Sequence, residues 1–446
     1  MSDGVADTGI RRRGRVLRPV RVSARVITEA GGQVAGDSAA KVAVLLFVLP
    51  MFGQTFHYIF DVPPLYFLSK GWPGLTAPLI LIGLSRGRLP ATPLFLFMLA
   101  YVLAFTPLLS MINLGNGVFD ALATTAKALP MTYYFSLSGL LILMKPTART
   151  IERLLFALGI ATYFAMVFMW VTVPASWYAS DAVSSKIFVY EIERGYRIYM
   201  PMFFGNLFLF MCVRYALARP KLRWLLVAVP ICLAIDILIY KQRTAIGCAV
   251  LVVGLGIVAG MPRGLRNLAW TAGLALAATI VFVVLTGSID EGFSQTFGGS
   301  LSVRQTSIAL AVDYLIAEPL RLVFGVGSIT RFSTVTMFDL FGYKHFYLAD
   351  LGWPGVVFEY GALGSALIAA TSFMSLMITQ GNAADRDPLS LALYDIVLYC
   401  ILTTVVYSVM FTPGETATAA ALSIYLFRMR RAAATSSGPS SHWARP

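Results

Sequence analysis

Long apolar runs separated by short polar connections make up most of this chain. Their lengths predict twelve membrane-spanning helices, at about 41–60, 64–84, 91–111, 128–145, 151–173, 198–218, 223–240, 244–261, 267–286, 352–378, 389–410 and 413–428. Each is close to the ~20 residues that a helix needs to cross the hydrocarbon. In the second run Gly71, Trp72, Pro73, Gly74 and Pro78 predict a short or kinked helix, because proline cannot donate to the ladder. The seventh and eighth runs are joined only by Tyr240-Lys241-Gln242-Arg243, a tight polar turn with which Asp236, an unusual residue for a span, is expected to pair. The longest interruption, 287–350, separates the ninth run from the tenth. Within it, residues 304–318 read as an amphipathic helix with Ile308, Ala311, Val312 and Leu315 on one face, Arg304 in the first turn and Pro319 at the end. The pattern therefore predicts an all-α fold: a polytopic bundle of about twelve transmembrane helices with one large loop. Residues 1–40 form an amino-terminal tail, 41–430 the membrane domain and 431–446 a second tail.

Composition agrees with that class and changes one reading. Apolar residues make up 58% and charged residues 13%, with a mean hydropathy of +0.74; soluble domains carry about 25% charged residues. A formal charge of +13 suggests nucleic-acid binding until its distribution is examined. Twenty-four of the 35 Lys and Arg fall on the side of the two termini, and 11 on the other. Basic residues concentrate on the cytoplasmic side, so both termini are expected there and 287–350 on the opposite, periplasmic side. The seven arginines between Arg11 and Arg25 read as a tail touching anionic lipid. No nucleic-acid partner is expected, and no secretory signal peptide is evident. Cys212, Cys232, Cys248 and Cys400 form no CxxC pair, which predicts neither a disulfide framework nor a metal site.

The outward side is where isolated ionisable groups gather. Arg243 opens the eighth span, where a guanidinium and the unpaired amides of a helix amino end could hold an anion together. Arg194 and Arg197 precede the sixth span beside Glu191 and Glu193, and read either as interfacial anchors or as substrate contacts. The loop adds Arg304, Arg321, Tyr343, Lys344, His345 and Asp350. Its Gly325-Val326-Gly327 is a permissive bend without the strand and helix context of a nucleotide site. With His57 and His442 far away in sequence, His345 predicts no metal cluster. A histidine can instead orient or deprotonate a hydroxyl near neutral pH, and Asp350 is the alternative base.

Arg243 at the head of a late span, followed by Arg304, Gly325-Val326-Gly327, His345 and Gly352 in a long outer loop, resembles the O-antigen polymerase and O-antigen ligase superfamily. The resemblance covers most of the chain by topology and is sharpest over 240–364. Gln242-Arg243 stands where the family has a Ser-Arg-like pair, and Phe346 where it often has Asn. Asp350-Leu351-Gly352 and Tyr360-Gly361-Ala362-Leu363-Gly364 look closest to exopolysaccharide repeat-unit polymerases. The resemblance implies an inner-membrane glycosyltransferase with a GT-C-like plan and a periplasmic site. It would use an undecaprenyl-diphosphate-linked oligosaccharide with no cofactor or essential metal, and would work beside a chain-length regulator and a lipid-linked glycan flippase. It also implies catalytic roles for Arg243, Arg304, His345 and Asp350, with Arg321, Arg194, Arg197, Lys344 and Tyr343 binding substrate.

Three activities fit the residues. A polymerase would lengthen a lipid-linked glycan, with guanidiniums stabilising charge on the departing diphosphate and direct displacement inverting the anomeric centre. A ligase would use the same chemistry on a different acceptor. A transporter would do no covalent chemistry, and Asp236 and Asp395, carboxylates inside spans, keep that reading open.

Overall fold

The computed structural model describes residues 37–57, 59, 62–179, 187–192, 194–285, 299–329, 335–343 and 346–436, and it is mostly helical. A helix stands at each of the twelve expected positions. The first six are α1 (Ala39–Phe52), α2 (Pro63–Gly87), α3 (Thr92–Leu114), α4 (Leu129–Met144), α5 (Ala148–Thr172) and α6 (Phe203–Ala218). The rest are α7 (Pro220–Tyr240), α8 (Arg243–Gly260), α9 (Arg263–Leu285), α10 (Trp353–Asn382), α11 (Pro388–Thr403) and α12 (Glu415–Ser436). Six of these, α2, α3, α5, α7, α8 and α10, are long and apolar enough to cross a membrane. Helices α1, α4, α6 and α11 are apolar but shorter. Leu81, Phe164, Val171 and Phe373 lie at least 60% exposed on the bundle surface. Large side chains of this kind, uncovered on apolar helices, suit a lipid environment.

Helices α5, α7, α8 and α11 pack around α6, in which every residue from Phe203 to Ala216 is buried. Two glycines let α2 and α4 cross with their backbones in contact. A Cβ on Gly83 would overlap the carbonyl of Phe135, and one on Gly139 the carbonyl of Leu79. Small residues at such crossings admit close approach where no solvent drives helices together. As expected, α2 breaks near its middle, at Thr76. Pro73 and Pro78 remove the amides that would bond to the carbonyls of Ser69 and Gly74, and the Thr76 hydroxyl donates to the carbonyls of Trp72 (2.9 Å) and Pro73 (3.3 Å) at the break.

Hydrogen bonds gather the connections into two groups. Around the start of α1, Asp37 accepts from Lys41 (2.8 Å) and from the amide of Thr147 (2.7 Å). Tyr425 donates to Pro146, Arg428 to Arg88, and Arg430 to Ser390. In the second group Lys241 donates to Arg194, Trp353 to Thr404, and the amide of Ser408 to Ala349. These are the sets that the distribution of basic residues assigns to opposite sides of the membrane.

Several expectations need correction. The helical bundle carries a short unexpected addition: β1 (Phe188–Glu191) and β2 (Gly195–Ile198) form an antiparallel hairpin that pairs Phe188 with Ile198 and Val189 with Arg197. Phe188, Val189, Tyr190, Tyr196 and Ile198 are β-branched or aromatic, the types that favour strands, within a stretch too short for the helical pattern to register. The loop helix runs over Gly299–Ile316, so Arg304 lies in its second turn, not its first. Ala311 and Leu315 are buried against Val326, Phe346 and Phe358, but Val312 faces outward at 40% exposure. Helix α11 ends at Thr403, and residues 404–414 turn back before α12 begins. Helix α12 continues to Ser436, past the expected start of the second tail.

Candidate active site

The turn that ends α7 is the first component. Lys241 adopts a left-handed conformation (φ 55°), its amide bonding to the carbonyl of Asp236. The Asp236 side chain points elsewhere, accepting from the Tyr163 hydroxyl at 3.3 Å, so the expected pairing with the turn is made by its backbone only. Gln242 then precedes the first residue of α8, exposed Arg243. The Gln242 side chain does not cap the helix, and no acidic residue occupies its first turn. The amino end of α8 therefore presents amide donors and positive dipole beside a guanidinium.

Gln242 is held from the opposite side. Tyr407, in the turn after α11, donates its hydroxyl to Gln242 Oε1 at 2.8 Å. The guanidinium of Arg304 lies over the Tyr407 ring, 5.9 Å from its centroid. Arg243 and Arg304, 61 positions apart in the chain, thus share one rim through Gln242 and Tyr407. Cation–π contact with a tyrosine face holds a guanidinium without neutralising it.

A third arginine approaches from the hairpin. Arg197 is buried, pairs with Glu191, and sits 5.8 Å from the centroid of Tyr199. Its Nε and Nη1 are buried with no hydrogen-bond partner among the described residues. Donors left this way cost about 1–3 kcal/mol each, which an acceptor-rich group entering beside Tyr199 would recover. Tyr199 stacks on Tyr240 (5.9 Å, 3° between planes) and tilts against Phe411, linking Arg197 to the same rim. Arg194 pairs with Glu191 at 3.4 Å while its carbonyl accepts from Lys241.

Below the rim opens a small cleft of about 80 Å³, lined among others by Tyr199, Tyr240, Gln242, Tyr399, Tyr407 and Glu415. Glu415 is buried and accepts from Thr412 Oγ1 (3.1 Å) and Cys400 Sγ (3.4 Å). The part of the loop carrying Asp350 docks on the cleft wall. The Ser408 amide bonds to Ala349, Trp353 Nε1 donates to Thr404, and Gly352 (φ 60°) lies so close that a Cβ would come 2.6 Å from the Val405 carbonyl. Asp350 is half-buried at this junction.

Other expected residues are not brought here. Arg321 pairs with Glu318 at 2.8 Å and covers the ring of Tyr314 at 4.5 Å. Tyr314 lies ten residues beyond Arg304 on one helix, about 15 Å away at ~1.5 Å per residue, so Arg321 is part of the loop's own packing. Tyr343 packs on the loop's apolar cluster. Lys344 and His345 lie outside the described residues, as do Glu193 and Arg331. The Gly325-Val326-Gly327 bend proves to be a backbone junction. The amides of Val326 and Gly327 donate to Phe358 and Glu359. Gly325 (φ 88°) and Gly361 (φ 65°) face each other where any Cβ would overlap backbone. The buried Glu359 pairs with Lys127 and accepts from the Ile329 amide at 3.2 Å, fixing the loop to α10.

Tyr407, Tyr199 and Glu415 were not singled out from the sequence. Tyrosines near helix ends read as interfacial-belt residues, and a lone glutamate opening a span reads as a helix-end preference; neither pattern signals a shared cleft. Among the described residues no group of three or more His, Cys, Asp or Glu is placed to hold a metal ion. No family model, no curated protein and no solved structure matches this chain.

Proposed function

We propose that the protein polymerises polyprenyl-diphosphate-linked oligosaccharide repeat units at the periplasmic face of a bacterial inner membrane, by inverting glycosyl transfer. The observation that carries this reading is the rim on which Arg304, lying over Tyr407, meets Gln242 and Arg243 at the uncapped amino end of α8. Arg304 is thereby tied, through Tyr407 and Gln242, to the amino end of the helix that Arg243 opens. Such a group suits a membrane-anchored diphosphate, and positive groups there stabilise charge as the glycosidic bond breaks. Arg197 supplies two further donors nearby. His345 and Asp350 are the groups proposed to handle the acceptor hydroxyl; Ala349, beside Asp350 in the chain, accepts from Ser408 of the cleft lining. The resemblance to O-antigen and exopolysaccharide polymerases supports the same assignment. Both charges that favoured a transporter have local partners: Asp395 is held by Arg214, and Asp236 by Tyr163.

Purified protein incubated with lipid-diphosphate repeat units should yield a ladder of longer glycans. Transfer of finished glycan to a different acceptor without a ladder would indicate a ligase. Movement of the lipid-linked unit across vesicles without bond formation would indicate a transporter. A single cysteine at Ser300, in a chain lacking the native cysteines, should be labelled by impermeant reagents from outside spheroplasts. Protection there would reverse the proposed orientation.

A further inference from the structure

Resting on the polymerase reading, we infer that the β1–β2 hairpin carries a second diphosphate site, where Arg197 and Arg194 take the phosphates of the acceptor unit in place of Glu191. Joining two lipid-linked units brings two diphosphates to one protein, one that departs and one that stays on its lipid. The Arg243–Arg304 rim serves the first. The hairpin holds a separate set of donors, and their geometry suits the second.

Arg197 is buried, yet its donors are only partly used. Its guanidinium carbon lies 5.8 Å from the centroid of Tyr199, a contact that consumes no N–H. Nη2 donates to Glu191, while Nε and Nη1 are buried with no hydrogen-bond partner among the described residues. A guanidinium has two forks that match phosphate oxygens, Nε with Nη2 and Nη1 with Nη2. Each fork of Arg197 therefore has one donor taken by Glu191 and one unused. Arg194 is similar: its Nε lies 3.4 Å from the other Glu191 oxygen, is buried, and makes no hydrogen bond. One carboxylate thus stands between two guanidiniums and leaves three of their donors unanswered. A diphosphate, with more acceptor oxygens and more charge, can answer them. The way in is through Glu191, whose side chain is 33% exposed against 9% for Arg197. Lys241 adds a third cation, its Nζ donating to the Arg194 carbonyl at 2.8 Å, and its turn ties the hairpin to the amino end of α8. A Glu191–Arg197 pair alone would be a staple across the hairpin, but a staple does not account for the orphaned donors.

The test uses full-length protein in phosphatidylcholine nanodiscs, with farnesyl diphosphate as the probe and calorimetry and native mass spectrometry as readouts. Wild type should bind two equivalents. Arg197→Gln should lose one of them, and Arg243→Gln combined with Arg304→Gln the other. Glu191→Gln keeps the volume but gives up the competing charge, so it should tighten the hairpin equivalent roughly tenfold, the worth of one charge-assisted hydrogen bond that no longer has to be broken. A gain of affinity does not arise from a misfolded hairpin, so this variant decides the question even where Arg197→Gln fails to fold. A purely structural staple predicts lower thermal stability for Glu191→Gln with binding unchanged or weaker, which would overturn the inference. A single equivalent in wild type would overturn it as well. So would displacement of the hairpin equivalent by phosphatidylglycerol, which would make this a lipid-headgroup site. Two equivalents and the Glu191→Gln gain without a ladder from lipid-linked repeat units would leave the hairpin site standing and remove the polymerase reading. A ladder from a protein that binds one equivalent would do the reverse.

Discussion

Asp395→Asn should be among the most damaging single substitutions in this protein, for reasons of folding rather than chemistry. Arg214 on α6 and Asp395 on α11 meet in a bidentate pair, Nε to Oδ2 and Nη2 to Oδ1, both at 2.6 Å. Their side chains are only 9% and 4% exposed, and Arg214 has one further contact, to the Gly256 carbonyl at 3.4 Å. Removing the carboxylate's charge leaves a guanidinium buried beside α8 without compensation, which typically costs about 3–5 kcal/mol. At ~1.4 kcal/mol per tenfold change, that raises the unfolded fraction by roughly two to three and a half orders of magnitude. Replacing both partners with apolar residues of similar size, Arg214→Met with Asp395→Leu, removes the desolvation cost with the attraction and should recover stability to within about 1 kcal/mol of wild type. The assay is equilibrium unfolding in bicelles of the four proteins of a double-mutant cycle. Each single variant should be severely destabilised, with a coupling energy of several kcal/mol. A loss below about 1 kcal/mol for Asp395→Asn would refute the argument. A stable Asp395→Asn protein that had lost activity would place the pair in the function and revive the transporter reading.

Arg243→Lys and Arg304→Lys keep the charge but lose the planar fork, and each should lower the rate of ladder formation by roughly 10- to 100-fold with normal membrane insertion. Wild-type rates from both would return these arginines to interfacial anchoring. Gly361→Ala introduces a Cβ at φ 65° against the backbone of Val323 and Phe324. It should therefore detach the 323–328 segment from α10, read as faster proteolysis of the loop and a lower melting temperature; unchanged protease resistance would contradict the junction. At Asp37, burial alone would raise the carboxyl, but hydrogen bonds from Lys41 and from Thr147 and Thr150 outweigh it and hold the group at about 2, below the ordinary 3.8. A depressed folded-state value means that its stabilisation is complete above the ordinary value and disappears as pH falls through about 2. The melting temperatures of wild type and Asp37→Asn should accordingly differ at neutral pH and converge as pH drops from about 4 toward 2.

The positions of the helices were legible in the sequence because each is set by a local rule. A run of apolar residues long enough for a membrane must satisfy its backbone internally, which leaves the helix as the structure that one segment can form alone. The break in α2 followed from Pro73 and Pro78, the turn after α7 from four polar residues between apolar runs, and the end of the loop helix from Pro319. Two candidate groups were legible for a similar reason: Arg243 opens a span, and Arg304 stands on a recognisable helix. Local pattern could not show what each would face. Whether Arg304 or Arg321 came to the turn before α8 depended on which ring each guanidinium covered, Tyr407 or Tyr314, and nothing in the local sequence distinguishes those tyrosines. Gly325-Val326-Gly327 was a bend in the sequence and became a junction only when Gly361 stood opposite it. Asp395 looked like an unpaired charge in a span until α6 brought Arg214 across 181 positions of chain to meet it. Glu415 gave no signal, since its significance lies in the tyrosines of α7 and α11 and the turns beside them. Backbone hydrogen bonding is satisfied within a segment and can be read from it; a cleft is made by side chains from several segments, so only their packing defines it.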